Sequence, residues 1–180
     1  PFAAPRNPSR IPVARTPIGT ACAMPSPCFT TKVLRTRQRL PSGDGSTGWG
    51  GRAPDLIVRL PRYTLRTGGL DVFRIFVVPV PLTSARFVQG VQVRPGNRAV
   101  HHANIRVDAS SASRVLDEAD PLPAYEGMIA RSADFPDGHF LGWTPGQVMP
   151  VLSDALAWRL ESSADLVVQL HLRPSGKVEE

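Results

Sequence analysis

After Trp49 the chain carries several short stretches in which apolar residues run together or alternate with polar ones, and this spacing predicts β-strands. Asp55-Leu56-Ile57-Val58-Arg59-Leu60 reads as a strand closed by Pro61; Tyr63-Thr64-Leu65 follows, and Gly68-Gly69 marks a turn. Val72 to Val78 is continuously apolar apart from Arg74. Phe87 to Arg94 alternates toward its end, and Pro95-Gly96-Asn97 turns the chain into Ala99 to Asp108, where Ile105 and Val107 oppose Arg106 and Asp108. Near the C-terminus, Ala155 to Leu160 precedes a clear strand, Asp165 to Arg173. Alternation puts Leu166, Val168, Leu170 and Leu172 on one of its faces and Val167, Gln169, His171 and Arg173 on the other. Short strands separated by Gly/Pro turns predict an all-β, antiparallel β-sandwich or barrel.

Two regions break the pattern. Residues 109–148 are rich in Ser, Asp, Pro and Gly and read as a long loop without strands, with one or two helical turns over Ser113 to Ala119. Such a loop in a compact domain is often functional. Residues 1–47 are proline-rich, carry scattered Arg, Ser and Thr, and show no apolar period, so they read as a disordered or loosely attached tail beside a domain at 48–180. No internal repeat is visible.

Charge changes the picture through its location. The net charge is +6, yet residues 1–44 hold seven of the 21 cations and one of the 15 anions, which leaves the remainder neutral. A domain without a basic patch lacks the footprint of nucleic-acid binding, and none is expected. The only cysteines, Cys22 and Cys28, lie in the tail without CxxC spacing; a local disulfide and two idle thiols both fit. No stretch approaches the ~20 apolar residues that span a bilayer. The chain begins at Pro1, as a fragment or processed product would.

The candidate chemistry lies in the histidines. There are four: the adjacent pair His101 and His102, then His139 and His171. Imidazole is the commonest metal ligand at neutral pH and suits copper or zinc better than calcium or magnesium. His171, on the polar face of its strand, stands where a ligand facing a cleft would. The pair raises a geometric difficulty, because consecutive residues of a regular strand point to opposite faces. Either one of the two is structural, or a bulge after the Pro95-Gly96-Asn97 turn re-aims a side chain. His139 reads as a loop residue near the surface.

Three separated segments carry a family resemblance. Arg94 to His102 (Arg-Pro-Gly-Asn-Arg-Ala-Val-His-His), Phe140 to Gly146 (Phe-Leu-Gly-Trp-Thr-Pro-Gly) and Leu166 to Gly176 (Leu-Val-Val-Gln-Leu-His-Leu-Arg-Pro-Ser-Gly) resemble, in order, the N-terminal domain of the copper type II, ascorbate-dependent monooxygenases, and in style their bacterial branch. The resemblance covers residues 48–180. It implies a jelly-roll β-sandwich with one copper held by His101, His102 and His171, which stores and passes an electron. It also implies ascorbate as reductant, an extracytoplasmic location, and a second, C-terminal domain whose own copper hydroxylates a substrate C–H bond with dioxygen. That domain would begin after Glu180, so this chain is expected to be a fragment that is inactive alone, with no catalytic residues of its own. Two departures are clear: Ala103 stands where the family's His-His-Met has methionine, and the eukaryotic cysteine pairs have no counterpart.

Two other functions compete. A non-catalytic β-sandwich binding module without metal would hold the three imidazoles more than ~5 Å apart, too far for bonds of ~2.0 Å to one ion. A zinc hydrolase would need a general base beside the metal-bound water, and the loop offers Glu126 and Asp137.

Overall fold

The alternating stretches become strands in the computed structural model, which describes residues 28–34, 54–147 and 154–180. Among these residues the order is β1 (Cys28–Leu34), β2 (Leu56–Arg59), β3 (Val72–Pro79), β4 (Arg86–Arg94), β5 (Val100–Asp108), a helix α1 (Ala112–Ala119), β6 (Ala133–Asp134), β7 (Leu141–Trp143), β8 (Trp158–Leu160) and β9 (Asp165–Leu172). All pairings are antiparallel. One sheet has the order β2-β1-β4-β8 and the other β3-β9-β5-β6, with β7 also paired to β5. Both sheets feed a single buried cluster. Val58, Val88, Val91, Trp158 and Leu160 come from the first, and Phe76, Ile105, Val168 and Leu170 from the second. The result is an all-β, two-sheet arrangement in which apolar alternation faces inward.

Three expectations need correction. Cys28–Leu34, placed in the loose tail, is an inner strand whose backbone pairs with both β2 and β4. Its β-branched and aromatic content suits a strand, but flanking Pro and Arg mask it, and pairing is decided by partners far along the chain. The rest of residues 1–47, and with it the cysteine pairing, lies outside the described residues. The loop 109–148 is not strandless: β6 pairs with the C-terminal end of β5 and β7 with its middle, and both extend the sheet. They span two and three residues, too short for a period to register. Finally, Tyr63-Thr64-Leu65 forms no strand; Leu65 makes only an isolated bridge to Glu179.

The second sheet has two differently used faces. Along β9, Leu166, Val168, Leu170 and Leu172 point into the main core as the alternation predicts. On the opposite face Val167 joins a smaller cluster with Ile75, Val77, Tyr125 and Ala133. That cluster lies beneath the chain following α1, which is tied to the β3 edge by the Ile75–Tyr125 bridge. Arg74, buried despite its charge, secures the same connection: it donates to the Ala124 carbonyl and pairs with Asp120 at 3.1 Å. Toward the other end of this face the covering stops, and Phe73 is 45% exposed. No helix of the described residues is long and apolar enough to cross a membrane.

The end of β5 is fixed by Asp108, which is wholly buried. Its carboxylate accepts from the Ser110 amide (2.8 Å), the Ser110 hydroxyl (2.7 Å), the Ser113 amide (2.9 Å) and the Ser132 hydroxyl (2.9 Å). It thereby joins the strand, the start of α1 and the approach to β6. Burial pushes the Asp108 carboxyl up, but hydrogen bonds from Ser113 and Ser110 outweigh burial and hold it down at about 2. A depressed carboxyl stabilises the fold above its unfolded value and loses that contribution as pH falls toward the folded value. Asp108→Asn should therefore cost roughly 2 kcal/mol at pH 6. Urea denaturation of both proteins from pH 6 to pH 2 should show the gap closing below about pH 4; a gap independent of pH would refute this account.

Candidate metal centre

Strand register brings the histidines together. β3, β9 and β5 are neighbours, and Phe73 and His102 both stand directly opposite His171. Directly opposed residues share a face, so the three side chains form a row across the uncovered end of the sheet, pointing away from the main core. His101 joins them through an irregularity. Val100 pairs with Leu172 and His102 with His171, so β5 carries one extra residue at this point, His101. This β-bulge resolves the conflict between the adjacent histidines and strand alternation. Both rings now reach one point.

The geometry is close. The Nδ1 atoms of His101 and His102 lie 3.2 Å apart, those of His101 and His171 3.3 Å, and those of His102 and His171 3.1 Å. His101 is exposed, His102 is half-buried, and the His171 side chain is 11% exposed. Nitrogens held at ~2.0 Å by a tetrahedral ion are roughly 3.3 Å apart, against roughly 2.8 Å for an octahedral one. The observed edges lie nearer the tetrahedral spacing. Three imidazoles of this kind fit zinc or copper, and they could hold one such ion.

Hydrogen bonding assigns one of the three protons. His171 Nε2 lies 2.7 Å from Asp71 Oδ2. A carboxylate accepts and does not donate, so in a neutral ring this contact is a hydrogen bond only with the proton on Nε2, which leaves a bare Nδ1 toward the triangle. His101 and His102 can then bring at most two protons to three edges. Hydrogen bonds alone leave the arrangement incomplete, and an ion accepting three lone pairs completes it. Phe73 stacks on His171 with centroids 4.3 Å apart and planes 7° from parallel, which restrains the ring.

Electrostatics also favour the metal-ready form. Burial, and then the neighbouring His171 and His101, push the His102 imidazole below its ordinary value. Metal binding needs neutral imidazole, so this ligand is ready at neutral pH.

The remaining candidates are elsewhere. His139 sits at the end of the Pro136–Gly138 turn, its amide on the Pro136 carbonyl, and is not in the cluster. Glu126 pairs with Arg74 at 3.8 Å and Asp137 accepts the Arg159 amide at 3.2 Å, so neither stands as a base beside the triangle. Among the described residues no carboxylate belongs to the metal-binding group. Gly142 of the Phe-Leu-Gly-Trp segment has a packing role: a Cβ there would meet the Phe140 ring at 2.3 Å. Trp143 is buried in the main core. The two residues the sequence did not reveal are Asp71 and Phe73. Asp71 is 100 positions from His171 and follows an ordinary turn, so no local spacing signals its role.

Comparison with family models, curated proteins and solved structures finds no match to this chain.

The position of His102 yields a direct check. In the metal-free protein, NMR titration should give His102 a midpoint below the ~6.5 of a free histidine. His171→Ala should raise that midpoint by removing a neighbouring charge. Stability linked to His102 is greatest above the free-histidine value and is lost as pH falls through the depressed one. A midpoint at or above 6.5 in the native protein would contradict the assignment.

Proposed function

We propose that this chain is the copper-binding, electron-relaying domain of a copper- and ascorbate-dependent monooxygenase. The single observation behind this reading is the Nδ1 triangle of His101, His102 and His171, with edges of 3.1–3.3 Å. Its three residues are those that the motif resemblance assigns as ligands. A metal-free binding module was expected to separate them by more than ~5 Å, and their closeness argues against it. A zinc hydrolase needs a general base at the bound water, and the two loop carboxylates that could serve, Glu126 and Asp137, are engaged with Arg74 and the Arg159 amide instead.

In this reading each residue has a defined task. His101, supplied by the bulge, and His102, its strand neighbour, offer two nitrogens from β5. His171 offers the third from β9, and its ring is restrained by Asp71 and Phe73. Copper bound there would cycle between Cu(I) and Cu(II) and so store one electron between a reductant and an acceptor. Exposure of His101 leaves the site accessible to a small reductant such as ascorbate. The jelly-roll form of the two sheets, an extracytoplasmic location and a partner domain carrying the hydroxylating copper belong to the same proposal.

Titration with Cu²⁺ should give one ion per chain, with an electron paramagnetic resonance spectrum of nitrogen ligation that ascorbate abolishes. His171→Ala should weaken binding by at least about tenfold, since a lost ligand costs no less than the 10–100-fold of an outer-shell partner. Unchanged affinity in that variant, or a Cu²⁺ signal that ascorbate leaves intact, would exclude the proposal.

A further inference from the structure

We propose that Asp71 is a positioning residue for the metal centre: it keeps the proton of His171 on Nε2 and so directs the Nδ1 lone pair into the triangle. This inference rests on the metal-binding reading of the three histidines.

The starting point is that a neutral imidazole has two tautomers, and only one of them leaves Nδ1 free to bind an ion. A solvent-exposed histidine chooses between them with little energy difference. His171 does not have that freedom, because its Nε2 lies 2.7 Å from the Asp71 carboxylate. An Nδ1–H tautomer would set the Nε2 lone pair against the carboxylate and aim a proton at the nitrogens of His101 and His102, 3.3 Å and 3.1 Å away. The carboxylate end of the ring therefore sets the tautomer, since on the other side an Nδ1–H could still donate to a bare nitrogen of His101 or His102.

Asp71 is placed to do this by the chain entering β3. It follows the Gly68-Gly69 turn, where Gly69 has φ of 117°, and immediately precedes Val72, the first residue of the strand. Two residues later Phe73 stacks on the same ring. The chain entering β3 thus fixes the His171 ring twice, by a hydrogen bond to Asp71 at its edge and by contact with Phe73 on its face. The Asp71 side chain is 44% exposed and Arg173 Nε lies 3.8 Å from its carboxylate. Replacing Asp71 accordingly opens no cavity in the core, and its effect reads on the site more than on the fold.

Carboxylate partners of metal-bound histidines orient the ring and raise its basicity, and their loss typically lowers affinity 10–100-fold. The test uses the full chain and two readouts. The first is the ¹⁵N spectrum of His171 in the metal-free protein near pH 8, where protonated and bare ring nitrogens are distinguished. The native chain should show a proton on Nε2; Asp71→Ala should show a mixture of tautomers, and Asp71→Glu should restore the native pattern at least in part. The second is Zn²⁺ affinity, chosen because the ion is redox-silent. It should fall 10–100-fold in Asp71→Ala and recover in Asp71→Glu, with unchanged thermal unfolding of the metal-free proteins. A native His171 protonated on Nδ1, or an Asp71→Ala variant with native tautomer and native Zn²⁺ affinity, would overturn the proposal. Should no metal bind to the native chain, the metal reading fails, while the tautomer measurement still decides whether Asp71 sets the proton.

Discussion

One extra residue in β5 is the constraint on which the site depends. A regular strand would place His101 and His102 on opposite faces of the sheet, one toward the core and one toward solvent. With the register shift between Val100 and His102, two consecutive side chains converge, and the following residues resume alternation with Ala103 and Ile105 inward. The bulge therefore serves two needs at once. It supplies the second nitrogen of the pair, and it leaves the packing of the rest of β5 intact.

The site also depends on an unequal sharing of one sheet face. Toward one end, Val167, Ile75 and Val77 are covered by the chain that follows α1, and Asp108 and Arg74 hold this covering in place. Toward the other end the face is open, and it is here that Phe73, His171 and His102 stand in a row. The three histidines thus rise from adjoining, well-paired strands whose opposite face is the main core. Such a base holds side chains more precisely than a loop would. The histidine in a turn, His139, is by contrast not part of the cluster.

Polar groups around the triangle act in sequence from outside inward. Arg173 lies near Asp71, Asp71 accepts from His171, and His171 turns its bare nitrogen toward His101 and His102. Each contact removes a choice from the next group. The outcome is a set of three ring nitrogens 3.1–3.3 Å from one another that could hold one metal ion.

Much of this was legible in the residues taken in order. The alternation of β9 assigned its inward leucines and put His171 on the other face; the Gly/Pro turns separated the strands; His101, His102 and His171 pointed to a metal. These are local properties, set by a period of two and by side-chain chemistry. The bulge, the pairing of Cys28–Leu34, the short strands β6 and β7, and the roles of Asp71 and Phe73 were not legible. Each depends on which strands lie side by side and in what register, and residues 100 positions apart meet only through that choice. By itself the sequence determined which residues could bind a metal. Tertiary structure decided that three of them could do so from one point, because only sheet register and its one-residue interruption set the distances between them.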